Sequence, residues 1–491
     1  MKIAPSVIML LVLAAFLRFF PIDFPFFTEA ETRIAVRGYS LATTGKDELG
    51  RNLPLIFNSL TDYQLPAVSY LTSLGVVLFG KSDLAVRIPF ILIGLGIVFL
   101  TYRLGGWWAG FAAGSSTLLI FLSKVPNEAI VLTFLFTLLY IVVSRPVINI
   151  KIFLALLGLL VLVSKTAWFL IPVFVIFAAG KIRFKLFLIS GIFCAAALII
   201  FLQIPQGWRS LQENNFQGFA AASIQNGIDR LRGQGIQSGW PPVAEKIFFN
   251  KSWFLTAGIF NWFSSFSPGI LFGPLDNMGV WPKAAIIPFI LGLFRAKSLI
   301  GLSLIMTLPF LFTYPDIDKS MLVASVPFMA LIVAAGFKSL KTFFKILVAG
   351  ALMFELIINL LNPVSLRPTW IKQIAYDAYE LSLKNNVVVS DDIISDITPF
   401  LYWHTPLLPG ENLKQPFPYK IRQTEIGDNL KVVGWENTFY ICGADKPTSI
   451  IASRRDLKKI QIDHRITYEK QYKNDQGEVA AFLMPDKICV H

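Results

Sequence analysis

Charged side chains are scarce in this sequence. Asp, Glu, Lys and Arg make up 15% of the 491 residues and hydrophobic types 55%, whereas a soluble chain carries about a quarter charged residues. A fold in water has no use for so much apolar material, so the bilayer must be the solvent for most of it. Histidine and cysteine are also rare, at three each. Cys194 lies in an apolar run, while Cys442 and Cys489 fall in the polar tail and can pair only in an oxidising compartment. No His, Cys and Asp spacing marks a metal site, and no metal or cofactor is expected. There is no Gly-rich phosphate loop of the nucleotide type. The formal charge of +13 does not point to nucleic acid. The basic residues sit at the ends of apolar runs, where membrane topology puts them.

Apolar runs recur as far as Leu361 and then stop. Spanning helices are predicted near 4–20, 85–102, 107–123, 128–143, 149–164, 166–180, 186–203, 284–294, 298–313, 321–337 and 343–361, about eleven in all. The first run has no A-x-A-like cleavage site and ends Arg18-Phe19-Phe20-Pro21, so it reads as a retained helix rather than a signal peptide. The run 65–79 is short for a span. If it does not cross, Lys2, Arg103, Arg145, Lys181, Arg183, Lys185, Arg295, Lys297, Lys338, Lys341 and Lys345 all fall on the inner side, as the positive-inside rule asks. It is therefore read as a helix at the outer interface.

This topology places the N-terminus in the cytoplasm and two long segments, about 21–84 and 204–283, outside a plasma or inner membrane. Residues 1–364 form the membrane domain. The tail, 365–491, is read as a small extracytoplasmic α/β domain. It holds a helix from Ile371 to Lys384, a buried strand over Asn386-Val387-Val388-Val389, a strand at Asn437–Ile441, and a hairpin turning at Asn474–Gly477.

The segment 21–84 carries the most informative order of residues. Thr28-Glu29-Ala30-Glu31-Thr32-Arg33 opens a helix that contains Arg37 and Tyr39. Thr44-Gly45-Lys46-Asp47 and Leu53-Pro54 follow, and Asp62-Tyr63-Gln64-Leu65-Pro66 opens the interfacial helix. Phe79-Gly80 and Ala85-Val86-Arg87-Ile88-Pro89 close the set. This order resembles the GT-C glycosyltransferases, in the branch with the protein O-mannosyltransferases and the lipid A aminoarabinose transferases. The detailed resemblance covers about 25–90. Two positions depart from the family pattern. Ala30 stands where the family has its catalytic Asp, and Gln64 where it often has a Lys. Either the acid has moved to Glu29 or Glu31, or this member is altered or inactive.

The resemblance implies a polytopic GT-C-like helical fold. It also implies transfer, with inversion, of a sugar from a polyprenyl-phosphate carrier to an acceptor hydroxyl of a lipid, glycan or protein. The missing nucleotide loop agrees with a lipid-linked donor. Such a transfer needs a carboxylate to take the acceptor's proton and cations where charge grows on the leaving phosphate. Glu29, Glu31 and Asp23 are candidates for the first role, as is Glu128, which matches a family carboxylate near the active site. Arg33, Arg37, Asp62, Tyr63, Lys124, Lys165, Arg209, Arg230 and Arg232 are the candidate substrate-binding residues.

Each candidate also has a plainer reading. Thr28 and Glu31 form a capping-box pattern. Glu29 and Arg33 have the spacing of a helix ion pair. Asp23 can be a solvated loop charge, and Asp47 and Glu48 can belong to a turn. Glu128 can simply sit at a helix N-terminus, and Lys165 can snorkel to the interface. His404 reads as an ordinary residue of the tail. Two other classes remain open: a transporter or flippase, and a non-catalytic scaffold with an outer binding domain.

Overall fold

The computed structural model describes residues 5–20, 28–48, 50–59, 62–145, 147–178, 183–203, 222–246, 253–273, 279–308, 319–361, 369–390, 393, 397–406, 423–425, 429–433, 448–453, 470–473 and 477–484. The chain forms two compact units. A helical unit holds Met1–Phe24 and Phe90–Pro363, and a mixed unit holds Pro25–Pro89 and Val364–His491.

Helices occupy every run predicted to span in the helical unit. Among the described residues, three are long and apolar enough to cross a membrane by length and composition: Asp83–Gly105, Phe184–Leu202 and Leu322–Ser339. Two pairs qualify only when taken together, and each is sharply bent. Thr117–Ser123 meets Glu128–Val143 at 116°, and Lys283–Arg295 meets Leu299–Met306 at 117°. Length and composition therefore carry three to five spans, fewer than the expected eleven.

The run 107–123, read as one span, is two helices, Trp107–Gly114 and Thr117–Ser123. The break leaves polar groups that other segments satisfy. Ser116 Oγ donates to the Val280 carbonyl at 2.8 Å and Thr117 Oγ1 donates to that of Gly279. The buried Trp281 returns a bond from Nε1 to the Ala112 carbonyl at 2.8 Å. Backbone that leaves the helix inside a membrane protein needs such internal partners.

Small residues let helices of this unit approach closely. The Cα of Gly292 lies against the Ile332 carbonyl, and that of Gly336 against the Pro288 carbonyl, leaving no room for a side chain at either. Packing at small residues is how apolar helices associate without a hydrophobic driving force between them.

In the mixed unit the first loop and the tail share one core. Ala35 and Val36 from the helix Glu29–Thr44, Val76 from Pro66–Phe79, and Val86 cluster with Ile374, Ala378, Val387, Val389, Leu401 and Trp403. The two loop helices touch where Gly38 faces Thr72, whose Cγ2 would lie 2.5 Å from any Cβ at that position. Two short strands, β1 (Phe57–Ser59) and β2 (Asp62–Gln64), form an antiparallel pair between them.

The tail builds a sheet from β3 (Asn386–Ser390), β4 (Gln423–Glu425), β5 (Leu430–Val433), β6 (Thr448–Ser453), β7 (Lys470–Lys473) and β8 (Val479–Met484). Their order is β4-β5-β3-β6-β8-β7. β3 is central and parallel to both neighbours. Such a strand is covered on both faces, so Val387, Val388 and Val389 are buried in sequence rather than alternately. The hairpin β7–β8 forms where the turn signal stood, and the helix Thr369–Ser382 takes the predicted place. The strand expected at 437–441 lies outside the described residues.

Candidate functional site

The first loop's helix begins as its capping box foretells. Glu31 N donates to Thr28 Oγ1 at 3.3 Å, and Thr28 N donates to Glu31 Oε2 at 3.0 Å. The Glu31 carboxylate is buried and also accepts from Arg87, with Nη2 3.1 Å from Oε1. Burial pushes this carboxyl up to about 7, against the pull of the Arg87 guanidinium and the Thr28 N–H. Arg87, from the segment 85–89, is thus the partner that holds Glu31.

Arg37 is likewise engaged. Its guanidinium forks onto Glu48, with Nε 2.8 Å from Oε1, and its Nη1 donates to Gln64 Oε1 at 2.6 Å. It also lies over the Phe57 ring, 4.9 Å from its centroid. Gln64 is therefore fitted to its surroundings. A Lys in its place would set a second cation against a buried one, whereas the amide oxygen accepts. Just past the helix C-cap at Gly45, Asp47 closes a turn by accepting from Arg51 N at 2.8 Å and Arg51 Nε at 2.7 Å. Gly45 itself is left-handed, with φ 69°.

Arg33 is half-buried on the same helix. Glu29 is the first helical residue, and Asp62 and Tyr63 pair through their backbone with Ser59 and Asn58. The side chains of these three, and all of Asp23 and Arg209, lie outside the described residues.

Sequence reasoning passed over Lys81. Its Nζ donates to the carbonyls of Tyr402 at 3.0 Å and Thr405 at 2.6 Å, and lies 4.4 Å from the centroid of Tyr39. Burial lowers it to about 8. Beside it, Trp403 Nε1 donates to Asp83 Oδ1 at 2.7 Å. His404, from the same short helix, is pushed down to about 4 by burial.

A second cluster lies in the helical unit. Asn127 caps the helix Glu128–Val143, its Oδ1 accepting from Ile130 N at 3.0 Å. Glu128 is thereby spared the capping role, and its exposed carboxylate accepts from Ser164 Oγ at 2.9 Å. Ser164 precedes Lys165, which is buried with Nζ 5.3 Å from the centroid of Phe201. Lys124, also buried, donates to the Phe20 carbonyl at 3.2 Å. The turns 123–128 and 163–165 are thus joined through Ser164 and a carboxylate at the positive end of a helix dipole, and each turn carries a buried lysine, Lys124 and Lys165. Arg230 is exposed and Arg232 half-buried on the helix Ala222–Gln237. Among the described residues no group of His, Cys, Asp or Glu has the arrangement of a metal site.

The architecture is that of the GT-C fold. No protein-family model matches the chain, and no curated protein sequence matches it significantly. Among solved structures, ArnT from Cupriavidus metallidurans in the apo state is similar, with a TM-score of 0.55 and 12% identity. The match covers 98% of this chain and 97% of that one. The same ArnT bound to undecaprenyl phosphate gives a TM-score of 0.45 at 12% identity, covering 99% of each chain.

Proposed function

We propose that this chain is a membrane glycosyltransferase that moves a sugar from a polyprenyl-phosphate carrier to an acceptor hydroxyl on the outer face of the membrane. The observation that carries this reading is the likeness to apo ArnT along nearly the whole length of both chains, and the ordered residues of 25–90 support it. The membrane is the plasma or inner membrane, crossed many times, with the N-terminus cytoplasmic and the tail outside. The acceptor belongs to a lipid, a glycan or a protein.

In this reading Glu128 takes the proton. The acceptor oxygen attacks the sugar's anomeric carbon as its hydrogen passes to the carboxylate. The bond from that carbon to the phosphate oxygen breaks, and the phosphate leaves with the electron pair. Lys124 and Lys165 are the cations set against that growing charge. Glu31 and Arg87 position the first-loop helix rather than react. Glu29 is the second candidate base.

One observation favours a rival. Ala30 stands where the family acid would be, which suits a non-catalytic scaffold. The test is to purify the full chain in nanodiscs, identify co-purifying lipid by mass spectrometry, and supply synthetic polyprenyl-phosphate sugars. Release of polyprenyl phosphate by the wild type, abolished in Glu128→Gln at equal membrane abundance, supports the enzyme. Turnover retained in Glu128→Gln but lost in Glu29→Gln moves the base to the first loop. No release with any donor leaves the scaffold.

A further inference from the structure

Arg18 is an isolated charge in the helical unit. It sits in the last turn of the apolar helix Pro5–Phe19 and is fully buried. Its Nη1 donates to the Ala14 carbonyl at 3.0 Å and reaches that of Gly114 at 3.5 Å. Nε and Nη2, which carry three of the five donors of a guanidinium, meet no hydrogen-bond partner. Among the described residues Arg18 forms no ion pair. Room for it is made by Gly94, where a Cβ would lie 3.2 Å from Nε and 2.5 Å from the Cβ of Ser123.

A buried guanidinium without a counter-ion is costly, and in an apolar helix it marks a site of function more often than of stability. Capping the broken helix at Gly114 uses one nitrogen and leaves the forked edge idle. That edge is shaped for two oxygens of one anion. Its setting is cationic: Ser123 is followed by the buried Lys124, whose Nζ holds the carbonyl of Phe20, two residues beyond Arg18.

We infer that Arg18 is a further binding residue for the phosphate of the lipid carrier, joining Lys124 across the end of the first helix. This rests on the carrier reading proposed above. The guanidinium is closed to solvent in the conformation described, so binding has to part the helix ends around Gly94 and Ser123.

The test uses the full chain in nanodiscs and a synthetic polyprenyl monophosphate. Polyprenol of the same length, phosphatidylglycerol and inorganic phosphate serve as controls. Loss of one charge-assisted fork weakens binding by about tenfold or more. Arg18→Gln is therefore expected to lose that much affinity for the polyprenyl phosphate and none for polyprenol, with Arg18→Lys in between. Unchanged affinity in Arg18→Gln overturns the assignment, as does an equal loss for polyprenol. An equal loss for phosphatidylglycerol makes the site one for any anionic lipid and overturns it too. Should the variants not fold, a polyprenyl phosphate with a diazirine beside the phosphate is photo-crosslinked to the wild type. Labelled peptides at 14–20, 94 or 120–124 support the inference, and labels confined to other segments oppose it. If the wild type binds no polyprenyl phosphate, the carrier reading itself fails, an outcome distinct from wild-type binding that Arg18→Gln leaves intact.

Discussion

Consider Glu31→Gln. The amide keeps the size of the acid and an oxygen for the Thr28 N–H, but it removes the charge that faces Arg87. Two effects compete. Removing one partner of a buried ion pair costs about 3–5 kcal/mol where the pair dominates. Burial works the other way, because an ionised carboxylate is itself expensive there. The carboxyl's rise from 4.5 to about 7 already nets these effects, with Arg87's pull included, and burial wins. In the window between those values the folded chain holds the proton that the unfolded chain has lost. Stability is therefore full below about 4.5, falls as pH rises, and is lost in full above about 7. The difference, at about 1.4 kcal/mol per pH unit, is about 3 kcal/mol. Gln mimics the protonated acid, so the variant is expected to match the wild type at acid pH and to exceed it by up to about 3 kcal/mol at pH 8. Amide exchange over 29–44, followed by mass spectrometry in nanodiscs across this range, reads the local stability. A variant less stable than wild type at pH 8 would refute the reasoning and restore the ion pair as the larger effect. Sugar transfer by the same samples separates roles: it persists if Glu31 positions the helix and disappears if Glu31 takes the proton.

His404 titrates in the opposite sense. Its folded value near 4 lies below the ordinary 6.5, so stability is present above 6.5 and falls as pH drops towards 4, by at most about 3 kcal/mol. His404→Gln should flatten that acid limb in the exchange of the 398–404 amides, and an unchanged limb speaks against a buried neutral imidazole. Gln64→Lys places an ammonium beside Arg37 Nη1, which now donates to the amide oxygen at 2.6 Å. A loss of about 1–3 kcal/mol is expected, and a melting temperature equal to wild type would show that the Arg37 network adapts. Gly336→Leu drives a side chain into the Pro288 carbonyl and should cost at least about 1–3 kcal/mol of overpacking. Wild-type detergent stability in that variant would mean that the helices Ile286–Arg295 and Val326–Ser339 do not pack as described.

What was legible in the sequence was whatever a local signal sets. The capping box at Thr28 and Glu31, the turn at Gly45, the central strand at Val387–Val389 and the β7–β8 hairpin each depend on neighbours a few residues apart. What hydropathy could not show is what distant segments decide. The run 107–123 is largely apolar, yet it breaks at Ser115–Ser116, where Gly279 and Val280 supply the carbonyls that the Thr117 and Ser116 hydroxyls need. Arg18 stood in plain view as a cation inside a predicted span, a signal that could have marked it for attention. Only the fold shows that its forked edge is unpartnered.

Gln64 makes the same point from the other side. Compared with the family pattern alone, it is the loss of a lysine, and together with Ala30 it suggests a decayed site. In the fold, Arg37 is paired to Glu48 and donates to the Gln64 amide oxygen, so an ammonium at 64 would face a buried cation. A position that had merely drifted would have no reason to acquire an acceptor matched to a buried donor. The first loop is therefore internally adapted, with Arg87 paired to Glu31 and Arg37 to Glu48. Among the described residues, the exposed Glu128 carboxylate beside Ser164 is the base that the proposed reading favours.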